Sequence, residues 1–233
     1  MPTRTGRPPK ISRADIVAAA HRIMREEGTQ GLTMRKLAGE VGTTAMALYR
    51  HVRDKDELMQ LLLDDYAAKV TKPEFSGDLD PGERVVAAAV AMRDALIGVP
   101  WIVEVLRADD MMSVHALWYP ETIIDAAVRS GMPREAAVDM YRIIWHYTAG
   151  EIAARAAAAR RRENERPTYR AAVFANLDPA ELPNLAALGE RWEELTARDT
   201  YETGVRAIVR GQIRQFRRIE VREHRGAIGR PFV

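Results

Sequence analysis

Between Thr43 and Leu58 the chain reads TTAMALYRHVRDKDEL. A phenol, an imidazole and three cations follow one another there as Tyr49, Arg50, His51, Arg53 and Lys55. Together they offer hydrogen-bond donors and positive charge beside a flat ring, which suits the holding of a polyanion. The charge of the whole chain is arranged the same way. Residues 1–53 carry ten Lys/Arg against four Asp/Glu, whereas the remainder carries 25 against 29. A net charge of only +2 therefore hides a basic N-terminal end beside the exposed motif. A solvated basic face has the same charge, so charge alone does not separate the two readings.

Other chemistries find little support. Zero cysteines exclude a disulfide framework, a thiolate nucleophile and a cysteine-ligated metal. The chain has no zincin, nucleophile-elbow, P-loop or dinucleotide fingerprint. LLLDDYAAK and RADDMMSVH contain the acidic pairs Asp64-Asp65 and Asp109-Asp110, but Ala68 and Ser113 occupy the positions where a third aspartate would help hold a metal. A helical enzyme, with His115 joining Asp109 or Asp110 on a metal, is thus the weakest alternative, and the expectation is no enzyme, no cofactor and no metal. The opening MPTRTGRPPK lacks the apolar core of a secretory signal. No apolar run is long enough to cross a bilayer. A cytoplasmic protein with no membrane partner is expected.

The elements that must position the motif read as helices almost throughout, giving an all-α fold. Ser12 with Asp15 resembles a capping box, and Ile16, Val17, Ala20, Ile23 and Met24 form an apolar stripe that Gly28 ends. Thr33 caps a short helix with Leu37, Ala38 and Val41 inside. Thr43 or Thr44 opens the next, expected to run to about Val52. Asp54, with Glu57 three residues on, caps a fourth whose buried side is Leu58, Leu61, Leu62, Tyr66 and Val70. Beyond PEFSGDLDPGE, further helices are expected at about 80–98, 100–109, 113–130, 134–164, 179–196 and 199–222, with breaks at prolines and glycines.

Ala38, Gly42 and Leu48 have the spacing of a helix-turn-helix. A small residue lets two helices cross, a glycine supplies the positive φ of the turn, and a leucine plugs the second helix into the core. Leu48 facing inward leaves Thr44, Ala45, Met46, Ala47, Tyr49, Arg50 and His51 outward. Thr44 and the free N–H groups of the helix start suit phosphate. Tyr49 and His51 suit phosphate or sugar, Arg50 a guanine edge or a phosphate, and Met46 and Ala47 a thymine methyl. Lys55 adds a phosphate contact. Double-stranded DNA is the expected partner.

On LTMRKLAGEVGTTAMALYRHVRDKDELMQLLLDDY the chain resembles the DNA-binding domain of the tetracycline-repressor (TetR/AcrR) family, over about residues 10–72. The resemblance implies a three-helix reading head, a connecting helix, and an all-helical ligand and dimer domain behind them. By position Thr33, Arg35, Ala45, Met46, Ala47, Tyr49, Arg50, His51 and Lys55 match DNA-contacting positions of the family. Arg35 also reads as a surface cation paired with Glu40 or Asp15. Ala45, Met46 and Ala47 replace more polar or proline-containing readers, and Arg50 stands where an aromatic would, so the operator should differ from the tetracycline operator. The implied organisation is a basic arm at 1–11, a helix-turn-helix domain at 12–53, a connecting helix at 54–72, a ligand and dimer domain at 73–222 and a tail at 223–233. The arm either enters a minor groove or is a solvated tail.

The resemblance further implies a repressor that binds a palindromic operator as a homodimer and is released by a small apolar or amphipathic effector. One short reading helix gives modest specificity, so a two-fold dimer is also expected on physical grounds. The family's interface helices correspond to about 134–164 and 199–222, which makes Tyr147, Gly150, Ala154, Ala157, Val205, Ile208, Val209 and Ile213 candidate contacts. An intramolecular helix crossing explains the same small residues. Trp101, Leu106, Met111, Met112, His115, Trp118, Tyr119, Met140, Trp145, His146 and Phe174 are candidates for an effector pocket, and equally for plain core. Arg160–Arg162, Arg206, Arg210, Arg214, Arg217 and Arg218 read as a solvated rim. An effector-less architectural DNA-binding protein remains the main alternative.

Overall fold

The computed structural model describes residues 11–107, 111–162, 169–174 and 176–228, with side chains outside 161–162, 171, 190 and 217–228. The arm up to Lys10, Asp109 and Asp110, the break at Arg166-Pro167 and the side chains of Arg161, Arg162, Arg217 and Arg218 lie outside the described residues. Among those described there are helices and no strands. In chain order they are α1 (Arg13–Gly31), α2 (Met34–Glu40), α3 (Ala45–Leu48), α4 (Lys55–Lys69), α5 (Pro81–Leu96), α6 (Pro100–Arg107), a 3₁₀ turn (Val114–Ala116), α7 (Trp118–Arg129), α8 (Arg134–Arg162), α9 (Tyr169–Phe174), α10 (Pro183–Ala186), a second 3₁₀ turn (Gly189–Arg191), α11 (Trp192–Thr196) and α12 (Tyr201–Ile228). No single described helix is long and apolar enough to cross a membrane.

The chain divides into two compact units. One takes in the chain up to Glu74 together with Asp94–Glu121, the other Phe75–Arg93 together with the chain from Thr122.

In the first unit, side-chain caps start the helices where the sequence signals them. Ser12 and Asp15 form a reciprocal capping box, and Asp54 accepts from the Glu57 N–H at 2.8 Å. Ile16, Ala19, Ala20, Ile23 and Met24 bury the inner face of α1. Gly28, at φ 68°, breaks α1, but a last short piece continues to Gly31 rather than stopping. The expected single stripe on α4 is wider in the structure. Met59, Leu63 and Ala67 are buried along with Leu58 and Leu62, because α4 packs against α1 and also against the Val114–Ala116 turn. Leu61, Tyr66 and Val70 are only half-buried. Tyr66 donates its hydroxyl to the Ala95 carbonyl and Gln60 donates to the Met112 carbonyl at 2.9 Å, tying α4 to the chain on either side of α6.

In the second unit the long helices α8 and α12 pack together. Thr148 of α8 meets Tyr201 of α12 between them, and Ile144 and Ile152 of α8 and Val205 and Val209 of α12 are buried as well. The expected helices at 113–130 and 179–196 are each broken into shorter pieces. Ser113 caps a separate turn before α7, and α10 and α11 start without a side-chain cap. α9 was not anticipated, and α12 runs past the expected end at 222.

Candidate nucleic-acid interface

The turn between α2 and α3 is built by its glycine. Gly42 adopts φ 69°, which an L side chain would strain. Its N–H donates to the Gly39 carbonyl at 3.1 Å, and the Thr43 N–H donates to the Ala38 carbonyl at 2.8 Å. That pair of bonds is a Schellman closure, which satisfies the last carbonyls of α2 while turning the chain sharply. Leu48 is fully buried, with Leu37 and Ala38 also in the core, so α3 is plugged in by its last residue. Val41 is only half-buried.

α3 is shorter than expected. Only Ala45–Leu48 are α-helical, after which Arg50 N–H donates to Ala47 O at 3.3 Å and His51 N–H to Leu48 O at 2.8 Å. Bonds of that span tighten the backbone toward 3₁₀ geometry, in which residues three apart eclipse. Arg50 therefore stands over Ala47, and His51 over the buried Leu48. This accounts for His51 being half-buried while Arg50 is exposed.

The outward set is uneven. Met46 is 75% exposed and Tyr49 48%. Thr44 is exposed, but its hydroxyl already accepts the Ala47 N–H at 3.2 Å as the cap of α3. Ala45 and Ala47 are half-buried. Thr33 likewise caps α2 by accepting the Lys36 N–H at 3.2 Å. Both threonines fix helix starts, and their backbones present the free N–H groups.

Ion pairs sort the cations. Arg22 pairs with Glu40 at 3.1 Å and Lys36 with Glu27, while Arg13 and Arg53 share Glu57 at 2.9 and 3.2 Å. The Arg53 N–H, 2.7 Å from Glu57, holds that carboxyl below its ordinary range. Asp15 is taken by Ser12. Both partners suggested for Arg35 are therefore engaged elsewhere, and Arg35 is exposed with no ion pair among the described residues. Arg50 is in the same condition. Among the described residues Lys55 reaches only the Thr29 carbonyl, at 3.5 Å, the limit of a hydrogen bond. Cations left unpaired on a rigid scaffold are available to a polyanion.

The acidic pair Asp64-Asp65 has structural partners. Asp64 accepts from Gln60 at 3.1 Å. Asp65 lies 3.0 Å from His21 and 2.7 Å from Lys69. His21 also meets the Trp101 ring, at 6.1 Å between centroids. Burial against these neighbours pushes the His21 pKa down, outweighing the opposite pull of Asp65. The neutral ring with its proton on Nε2 donates to Asp65.

The candidate effector residues fall in both units. In the first, Trp101 and Tyr119 are buried, Leu106, Met111 and Trp118 half-buried, and Met112 and His115 exposed. In the second, Met140 is fully buried, Trp145 half-buried and His146 exposed. Phe174 stacks on Trp192 at 4.5 Å. The candidate interface residues divide as well. Tyr147 stacks on Tyr201 at 5.3 Å and covers Gly204 within the protomer. Val205 and Val209 are buried within the protomer. Gly150 and Ala154 are exposed, and Ala157, Ile208 and Ile213 half-buried. A Cβ added at Gly150, or at Gly211 on α12, would meet nothing within 4 Å. The buried hydroxyl pair of Thr148 and Tyr201, 2.6 Å apart, was not anticipated. Its only signal in the sequence is a threonine in an otherwise apolar helical row.

A short turn closed by a positive-φ glycine, an outward one-turn helix and an all-helical body define a helix-turn-helix regulatory protein. Residues 16–62 match the family model described as bacterial regulatory proteins, tetR family, and residues 76–214 match that of the tetracyclin repressor-like C-terminal domain. The chain belongs to the TetR family. A helix-turn-helix transcriptional regulator of Saccharopolyspora erythraea is 28% identical over 63% of this chain and 61% of its own. The transcriptional repressor DrrR1 of Streptomyces coeruleorubidus is 31% identical over 62% of this chain and 54% of its own. The chain thus spans somewhat over half the length of these curated relatives. Among solved structures, ActR of Streptomyces coelicolor in complex with actinorhodin superposes with a TM-score of 0.70 at 21% identity, covering 88% of this chain and 98% of that one. BioQ with its double-stranded DNA operator gives 0.59 at 22%, covering 88% and 99%. At such identities the likeness establishes the fold.

Proposed function

We propose that this protein is a ligand-responsive transcriptional repressor that binds a palindromic DNA operator as a homodimer. The observation that carries the reading is the unpaired, outward set on and around α3: Met46, Tyr49 and Arg50, with Arg35 at the start of α2 and Lys55 at the start of α4. Met46 meets base edges through apolar contact and Arg50 reads a guanine edge or anchors a phosphate. Tyr49, Arg35 and Lys55 anchor the backbone, and the N–H groups capped by Thr33 and Thr44 add dipolar attraction for phosphate. Ala45 and Ala47 keep the reading turn slim enough to approach the groove, and His51, drawn in over Leu48, touches sugar or phosphate at the rim.

The dimer forms through α8 and α12. Glycine inside a helix weakens it by roughly 1 kcal/mol relative to alanine. Gly150 and Gly211 have no neighbour within the protomer that needs the space. Close approach by the helices of a second copy accounts for both, with Ala154, Ala157 and Ile208 beside them. The relatives support the remaining roles: one is a repressor, ActR is seen with actinorhodin and BioQ with its operator. The effector is an amphipathic small molecule held among aromatic and Met side chains of the helical ligand domain, and its binding shifts the dimer away from the DNA-competent state. Such a regulator acts in the cytoplasm, beside the chromosome.

The test is selection of binding sites from random duplex DNA with the purified protein, followed by sequencing. A two-fold symmetric motif is expected. Enrichment of no motif, with retention that depends only on salt, would replace this reading by a non-specific architectural role.

A further inference from the structure

A cleft in the second unit has no part in the function proposed above. It encloses about 410 Å³, within the size range of small-molecule sites. None of the side chains suggested for the effector pocket lines it. α12 brings Arg206, Arg210 and Arg214 to it on one i, i+4 row, over Val209 and Ile213. α5 contributes Glu83 and Val86.

The charges do not cancel. Glu83 is held by Arg206, which also takes Glu202 at 2.8 Å. Asp80 accepts the Glu83 N–H at 3.1 Å and so caps α5. Arg129, at the end of α7, has Asp125 at 3.1 Å. Arg210 and Arg214 have no ion pair among the described residues, and both are exposed. A merely solvated rim needs no shaped apolar floor, yet this cleft has one. A Cβ at Gly82 would come within 3.4 Å of Ile213 Cδ1 and 3.2 Å of Asp80 Oδ1, so the glycine keeps the floor open.

We infer that this cleft binds an amphipathic carboxylate, its apolar tail on Ile213 above the buried Val86 and Val209 and its carboxylate between Arg210 and Arg214. Guanidinium and carboxylate match in geometry as well as charge, and the apolar floor selects against small inorganic anions.

The test uses decanoate as the probe and decanol as its uncharged counterpart, titrated calorimetrically into the full-length protein without DNA. Saturable binding of decanoate at one site per chain is expected. Arg210→Gln with Arg214→Gln should weaken it about tenfold or more, and decanol should bind more weakly by a similar factor. Arg210→Lys with Arg214→Lys should recover part of the loss, and Gly82→Val should weaken decanoate and decanol alike. The double Gln variant should melt as the unaltered protein does, since neither guanidinium has an ion pair among the described residues to lose. Absent or non-saturable binding, equal affinity in the double Gln variant, or decanol binding as tightly as decanoate would each overturn the inference. Because DNA is absent, these outcomes are independent of the operator selection.

Discussion

The reading head and the unit built on α8 and α12 solve the packing problem at different ranges. In the head, Ser12, Thr33, Thr44 and Asp54 each accept the N–H three residues on, at 3.1, 3.2, 3.2 and 2.8 Å. Every helix start there is fixed by its own neighbours in sequence. In the second unit Asp80 caps α5 in the same way, but α10 and α11 start without side-chain caps. Its helices are joined instead by distant partners: Arg93 and Arg155 share Asp199 at 2.6 and 3.2 Å, and Tyr201 reaches both Thr148 and the Ala89 carbonyl. Local codes suit a surface whose shape must match a groove. Long-range ties suit the repacking around a ligand that the proposed function requires.

The largest expected effect lies in the head. Leu48→Ala should cost about 2–5 kcal/mol of stability in urea unfolding and abolish operator retention, because α3 has almost no other anchor. If the variant unfolds in one step with the second unit, head and body are one cooperative block and the contrast fails. Tyr201→Phe should cost roughly 1–3 kcal/mol by removing two buried hydrogen bonds, to Thr148 and to the Ala89 carbonyl, with little change in DNA affinity at temperatures where the variant stays folded. Loss of sequence preference in that variant would show that the body shapes the reading surface directly.

Smaller changes sharpen the division within the head. Arg50→Ala should relax preference at one base position by roughly 1–3 kcal/mol if Arg50 reads an edge. Lys55→Ala should weaken all sequences alike and lower the salt slope by about one. The reverse pattern would exchange their roles. The smallest effect concerns His21. Its folded pKa lies below that of the free imidazole, so the neutral ring is the form that folding favours. Stability should be complete above about pH 6.5 and should fall as pH drops through that value toward the lowered one. Urea midpoints measured along that range should flatten in His21→Gln. An unchanged slope would assign the pH dependence elsewhere.

The head was legible because its determinants are short-range. Ala38, Gly42 and Leu48 stand at the spacings a helix-turn-helix needs, and each cap sits three residues before the N–H it serves. The length of α3 was not legible: nothing in AMALYRHV announces that the bonds past Leu48 shorten. The second unit was legible as helices and no further. Val205 and Val209 carry the same apolar signal whether they face their own protomer or another, and only the folded packing of α12 buries them in their own. The arginine cleft draws its walls from α5, α7 and α12, so no window of sequence contains it.

Tyr201 ends on a hydroxyl where three helices meet. It lies 2.6 Å from Thr148 on α8 and donates to Ala89 of α5 at 3.1 Å, from the first residue of α12. Kinematically this is a pin joint. Sliding α12 along α8 by a turn would break both bonds and leave the Tyr201 hydroxyl buried without them, whereas a small rotation about the phenol keeps each bond. The stacked ring of Tyr147 acts as the bearing face, since parallel rings turn against each other at little cost. Rearrangement inside this unit should therefore trace an arc centred near Tyr201, with displacement growing along α12 toward its far end.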